Sequence, residues 1–143
     1  MIKKIGGGVE EAAKILANMP VTERDRLLKG ILEKDPVLAE EIKKHLVSLE
    51  DLVYLTPKML QELLREISID DLGLALRISS GELREFILNN VSKNNVKELN
   101  EILNGPPRDV SIIQEAEARI LDVVRQKIDK GEIVLSSDNN YYV

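Results

Sequence analysis

Five prolines, at positions 20, 36, 57, 106 and 107, divide this 143-residue chain into segments. A proline has no N–H to donate, and its ring clashes with the carbonyl four residues back. It therefore stands at the end or in the first turn of a helix rather than inside one. Between the prolines apolar residues recur at helical spacing, so the chain reads as a succession of short helices. Val9, Ala12, Ala13, Leu16 and Met19 form the first stripe, which Pro20 closes. Thr22, with Asp25 three residues on, predicts a capping-box start for a second helix whose buried stripe is Leu27, Leu28, Ile31 and Leu32. Asp35-Pro36 joins a good N-cap to a residue suited to the first turn, and opens a third helix from Val37 to about Val47.

The same punctuation continues along the chain. Ser48, Thr56-Pro57, Ser68, Ser80-Gly81 and Ser92 each precede a helical pattern, the Thr56 one with Met59, Leu60, Leu63, Leu64 and Ile67 on one side. The helix after Ser92, within NNVSKNNVKELNEILNGPPRD at 89–109, is sparse, with a thin line of Val, Leu and Ile among Asn and charged residues. Asn104-Gly105 suits a left-handed C-cap, and Pro106-Pro107 prevents the helix from continuing. Residues 111–130 form the longest helix, with Ile112, Ile113, Ala116, Ile120, Val123, Val124 and Ile128 along one stripe and Gly131 just past its end. Only EIVLSS, at 132–137, reads as extended.

Aromatic residues are 3% of the chain against 43% apolar residues, so Leu, Ile, Val and Ala must fill the core. The expected class is all-α, as one compact domain or two small ones, without a fixed repeat period. A net charge of −5, from 25 acidic and 20 basic groups, has the wrong sign for a phosphate-neutralising surface, and nucleic acid is not an expected partner. The absence of cysteine removes disulfide frameworks and thiolate metal sites. No apolar run approaches the length that crosses a bilayer, and MIKKIGGG contains no signal-peptide stretch, so a soluble cytoplasmic protein is expected.

Gly6, Gly7 and Gly8 read as a hinge ahead of the first helix. A phosphate loop would need Gly-Lys-Ser/Thr at the helix start, where VEEAA instead supplies acidic groups. His45 follows Glu41 by one helical turn, but it is the sole histidine and has no second nitrogen or thiolate to share a metal. The neighbouring pairs Asp70-Asp71 and Glu40-Glu41 diverge on a helix and suit caps and solvated faces. No catalytic residue, metal, cofactor or small-molecule substrate is expected, and an enzyme is disfavoured.

The order of segments is itself informative. GGVEEAAKIL, DPVLAEEIKK, LEDLVYL, LQELLREI, DLGLALR, ELREFILNNVSK, LNGPPRDV and EAEARILDVVRQKIDKGEIVL, spanning about residue 6 to the C-terminus, resemble the C-terminal region of the flagellar motor switch protein family FliG. The resemblance implies an armadillo-like three-helix subdomain at about 8–47 and a six-helix subdomain at about 51–143. A hinge would lie between them, where Leu46-Val47-Ser48-Leu49 replace the family's Met-Phe-x-Phe motif. It also implies a rotor protein at the cytoplasmic face of the inner membrane, in the flagellar basal body. Its partners would be the cytoplasmic loop of the stator, other switch-complex proteins, and copies of itself in a ring. The family's stator-facing charges fall on Arg77, Glu101 and Arg108, while a further basic position falls on Asn94 and the second of an acidic pair on Ile102. Val9, Ala12, Ala13 and Leu16 are expected to pack between subunits of the ring. The incomplete charge set leaves a second reading open, a FliG-like helical adaptor that no longer works against a stator.

Overall fold

The structure, a computed structural model, describes the backbone of residues 2–134 and the side chains of residues 8–134. Among the described residues it is all-helical: α1 (Ile2–Ala17), α2 (Val21–Lys34), α3 (Pro36–Leu46), a 3-10 segment (Leu49–Tyr54), α4 (Pro57–Leu64), α5 (Ile69–Leu76), α6 (Gly81–Asn89), α7 (Lys93–Leu103) and α8 (Val110–Asp129). The chain divides into two compact units between Val47 and Ser48.

In the first unit α3 packs against both α1 and α2. Val9, Ala13 and Leu16 of α1, Leu28 of α2, and Ile42 and Leu46 of α3 form its core, with Ala12, Met19, Ile31 and Leu38 packed around them. Three local expectations change here. The Gly6-Gly7-Gly8 triplet lies inside α1, which begins at Ile2 rather than near Val9. Each glycine weakens a helix by about 1 kcal/mol relative to alanine, but extending a formed helix adds a hydrogen bond per residue and does not require a new nucleus. Thr22 caps nothing: α2 begins at Val21 after Pro20, whose carbonyl already accepts the Arg24 N–H at 2.9 Å. Leu27 is 48% exposed whereas Leu28 is fully buried, because successive helical residues are turned by about 100° and only one of the two can face α3.

The second unit is organised around α5, which packs against α7 and α8. Its residues Leu72, Gly73, Leu74, Ala75 and Leu76 are all buried, so this eight-residue helix has almost no solvent face. Around it, Leu52 of the 3-10 segment, Leu60 and Leu63 of α4, Leu83 and Ile87 of α6, Leu99 of α7 and Ile120 and Val124 of α8 are also buried. The starts of the helices follow the sequence punctuation. Thr56, Ser68, Ser80 and Ser92 each accept an N–H three residues on, from Met59, Asp71, Leu83 and Asn95 at 3.1 to 3.3 Å, and Asp35 does the same for Leu38 at 3.1 Å. Each such cap contributes about 1 kcal/mol. Asp51 accepts the Ser48 N–H at 3.0 Å, which fixes the entry to the 3-10 segment.

After α8, Gly131 takes φ +74°, the left-handed conformation expected past that helix. Glu132, Ile133 and Val134 form no strand, and the remainder of the stretch expected to be extended lies outside the described residues. Ile133 is buried, and the Glu132 and Ile133 N–H groups donate to the Lys127 carbonyl at 2.9 and 3.3 Å, so this part of the chain is held by apolar contact and by the end of α8.

One close approach fixes the spacing of α5 and α7. A Cβ on Gly73 would lie 2.5 Å from Ile102 Cγ2 and 2.7 Å from Ile102 Cβ. Ile is branched at Cβ and stiff at χ1, so it cannot swing clear. Gly30, inside α2, has nothing within 4 Å of the same atom. The same substitution should therefore have opposite signs. In denaturant unfolding, Gly30→Ala is expected to stabilise by about 0.5–1 kcal/mol. Gly73→Ala is expected to destabilise by about 1–3 kcal/mol, and less when combined with Ile102→Ala.

Candidate functional site

Arg77 follows Gly73 by one turn and stands at the C-terminal end of α5. Its guanidinium reaches across to the end of α7. Nε and Nη2 donate to the Ile102 carbonyl at 3.1 and 2.5 Å, and Nη1 donates to the Pro106 carbonyl at 2.9 Å. Helix ends leave carbonyls without intrahelical partners, and a planar cation with several donors can serve more than one of them. This explains a departure from the sequence reading. Gly105 does not adopt the left-handed conformation expected of it. A Cβ there would meet Arg77 Nη2 at 3.1 Å, so the glycine leaves room for the guanidinium instead. Asn104 completes the end of the helix, its side-chain Nδ2 donating to the Asn100 carbonyl at 2.8 Å.

The three charges singled out from the sequence meet in one place. Arg77, Glu101 and Arg108 line a cleft of about 370 Å³ together with Asp70, Leu74, Ile102, Gly105 and Pro106. They are not equivalent. Glu101 and Arg108 are exposed, and neither forms an ion pair or side-chain hydrogen bond among the described residues; Arg77 is half-buried and hydrogen-bonded throughout its head. Asn94 is exposed on α7, whereas Ile102 is turned toward α5 and packs over Gly73. The thin apolar line of α7 is thus its α5-facing side, with Leu99 buried and Val96, Ile102 and Leu103 half-buried.

The other expected site residues are spread through the chain. Leu46 ends α3 inside the core of the first unit, Val47 and Ser48 are non-helical, and Leu49 is buried at the start of the 3-10 segment. Val9, Ala13 and Leu16 are buried in the first unit and Ala12 packs against them, so the face expected to meet another subunit is turned into the unit's own core. A three-helix unit this small needs its main apolar stripe for itself. Among the described residues, the large apolar side chains it leaves exposed are Ile15, Val21, Leu27 and Val37.

Several polar contacts were not anticipated. Lys127 is 4% exposed, with its ammonium against Glu66 and 3.6 Å from Glu132. The hydrogen bond from Lys127 holds the Glu66 carboxyl below the usual range, and the same bond, with Glu132 adding to it, raises Lys127 against the opposing effect of burial. The available signal was position: Lys127 continues the buried stripe Ile113, Ala116, Ile120, Val124. Arg119 grips Asp71 through two bonds of 3.0 and 2.9 Å, joining α8 to the start of α5. Burial, reinforced by Glu50, pushes the Glu117 carboxyl up, while Glu50 itself accepts the Ser80 N–H at 2.9 Å. Arg84 and Gln61 donate to the carbonyls of Leu76 and Asn90, again at helix ends.

The FliG C-terminal domain matches residues 29–135. The chain belongs to this family. The flagellar motor switch protein FliG of Bacillus subtilis is 35% identical over 132 residues, which are 91% of this chain and 39% of that protein. FliG of Thermotoga maritima is 34% identical over the same shares of the two chains. Among solved structures, a fragment of FliG from H. pylori superposes with a TM-score of 0.72 at 26% identity, covering 90% of this chain and 57% of the other. The full-length FliG of Aquifex aeolicus gives a TM-score of 0.58 at 26% identity, over 87% of this chain and 39% of its own. The chain therefore spans about two fifths of the length of the curated FliG proteins it matches. No described helix is long and apolar enough to cross a membrane.

The ion pair around Lys127 has a definite pH signature. The lowered Glu66 contributes stability that is complete above about pH 4.5 and is lost as pH falls through its folded-state value. The raised Lys127 contributes stability that is complete below about pH 10.5 and is lost as pH rises through its own. The stability difference between the native chain and Lys127→Met, measured by denaturant unfolding, should be flat between these limits and shrink beyond either one.

Proposed function

We propose that this chain is the C-terminal part of a flagellar motor switch protein, a non-enzymatic rotor component that transmits force and switching signals by protein contact. It would work at the cytoplasmic face of the inner membrane, beside other switch-complex proteins and copies of itself in a ring. The observation that carries this reading is the FliG C-terminal domain match across residues 29–135, reaching through the cleft that Arg77, Glu101 and Arg108 share. Glu101 and Arg108 are the charges best suited to the cytoplasmic loop of a stator, being exposed, opposite in sign and unpaired among the described residues. Exposed pairs contribute only about 0–1 kcal/mol, yet charges steer the approach of a partner. Weak binding with fast approach suits a rotor that must engage and release repeatedly. Movement between the units would be taken up at Leu46-Val47-Ser48-Leu49, where two non-helical residues separate α3 from the 3-10 segment.

One observation favours the second reading, an adaptor of the same family without a stator. Arg77 is tied to backbone carbonyls, and Asn94 and Ile102 carry no charge, so fewer groups remain to meet a charged partner. The two readings separate in a host whose own switch protein carries this chain in place of its C-terminal region. Flagellar assembly and swimming are scored separately. Glu101→Lys and Arg108→Glu are expected to leave flagella in place and to abolish or strongly reduce swimming. Paralysed flagella with the unaltered chain would select the adaptor. Swimming indifferent to both reversals would remove Glu101 and Arg108 from the stator contact.

A further inference from the structure

A second cleft, of about 360 Å³, opens beside the first and is lined by Arg77, Arg84, Asn100, Leu103 and Asn104. No carboxylate lines it, and neither arginine forms an ion pair among the described residues. Both arginines are half-buried. Each is held at the C-terminal end of a helix: Arg84 donates through Nε and Nη2 to the Leu76 carbonyl at 3.3 and 3.1 Å, at the end of α5, and Arg77 donates to the Ile102 carbonyl at the end of α7. A helix C-terminus carries about half a negative charge, so the two ends together offset about one of the two positive charges. With Asp70 and Glu101 lining only the adjoining cleft, the recess keeps a net positive charge, and there opposite charges attract more strongly than on an open surface.

The donors also converge. Arg84 makes no hydrogen bond through Nη1, and the Asn100 side-chain amide has no partner among the described residues. Asn104 uses Nδ2 for the Asn100 carbonyl and keeps one further N–H. A planar guanidinium beside amide donors matches the geometry of an oxyanion. We propose that this cleft binds a small oxyanion, a phosphate group or a carboxylate, through Arg84 and Asn100, with Arg77 contributing its charge while it stays bonded to the end of α7. Lodged there, the anion ties the end of α5 to the end of α7. Such a site does not depend on the chain working in a motor.

The arginines also cap helices, so replacing either would confuse binding with folding. Asn100 is exposed on α7, and Asn100→Glu supplies a carboxylate to the cleft without touching either cap. The full chain, labelled with 15N, is titrated with sodium phosphate and separately with sodium acetate, each against sodium chloride of matched ionic strength. Saturable shifts are expected at the Asn100, Leu103 and Asn104 amides and at Arg84 Nε, with half-saturation at about 1–10 mM. Phosphate acting alone would assign the site to phosphate groups, and acetate acting as well would admit carboxylates. In Asn100→Glu the affinity should fall at least about tenfold, with helix content unchanged. Shifts that chloride reproduces, or phosphate binding that survives Asn100→Glu, would overturn the proposal.

Discussion

The contact of Gly73 with Ile102 sets the distance between α5 and α7, and much of the second unit follows from that distance. With no side chain at residue 73, the two helices approach until Ile102 covers the α5 backbone. That proximity brings the end of α7 within reach of Arg77, one turn further along α5. It also makes α5 an apolar helix buried on nearly every side, and a buried helix must find partners for the carbonyls at its end. Arg84 supplies one for α5, and Arg77 supplies them for α7. Gly105 then has to be small because the guanidinium occupies the space beside it.

These dependencies explain which parts of the molecule could be read from the sequence. The N-caps at Asp35, Thr56, Ser68, Ser80 and Ser92 were legible, because cap and acceptor lie three residues apart and no other part of the chain takes part. The C-terminal ends of α5, α6 and α7 were not, because Arg84, Gln61 and Arg77 come from 8, 29 and 25 residues away along the chain, whereas the end of α8 was, since Gly131 closes it locally. Asn104-Gly105 looked like a self-contained stop signal, yet the fold used another device there. The Gly6-Gly7-Gly8 triplet misled in the same way, since local propensity alone does not decide whether a helix is interrupted. Leu27 and Leu28 were indistinguishable by composition, and only the position of α3 decides which is buried. Lys127 was not anticipated, although its place on the stripe of α8 is a signal of burial that the sequence does carry, without naming Glu66 as its partner.

The same geometry sorts the charges that the resemblance to FliG picked out. The resemblance named Arg77, Glu101 and Arg108 one by one, and all three line one cleft. Their surroundings differ in the property that matters for a reversible contact. A cation bound to three acceptor contacts must break them before it can serve a partner, whereas an exposed, unpaired carboxylate or guanidinium has only water to displace. Arg77 therefore shapes the surface from below, and Glu101 and Arg108 present it. The sparse α7 combines both roles, with an apolar side that locks onto α5 and a polar side that leaves charge exposed.

The central claim is that Arg77 is a structural cap rather than a free surface charge, and exchange of the guanidinium Nε–H with water tests it directly. The Nε–H of Arg77 should exchange at least about tenfold more slowly than that of Arg108, because its hydrogen bond to the Ile102 carbonyl must open first. Equal exchange at the two arginines would contradict the account, leaving α7 held by its apolar side alone and Arg77 as available to a partner as Arg108.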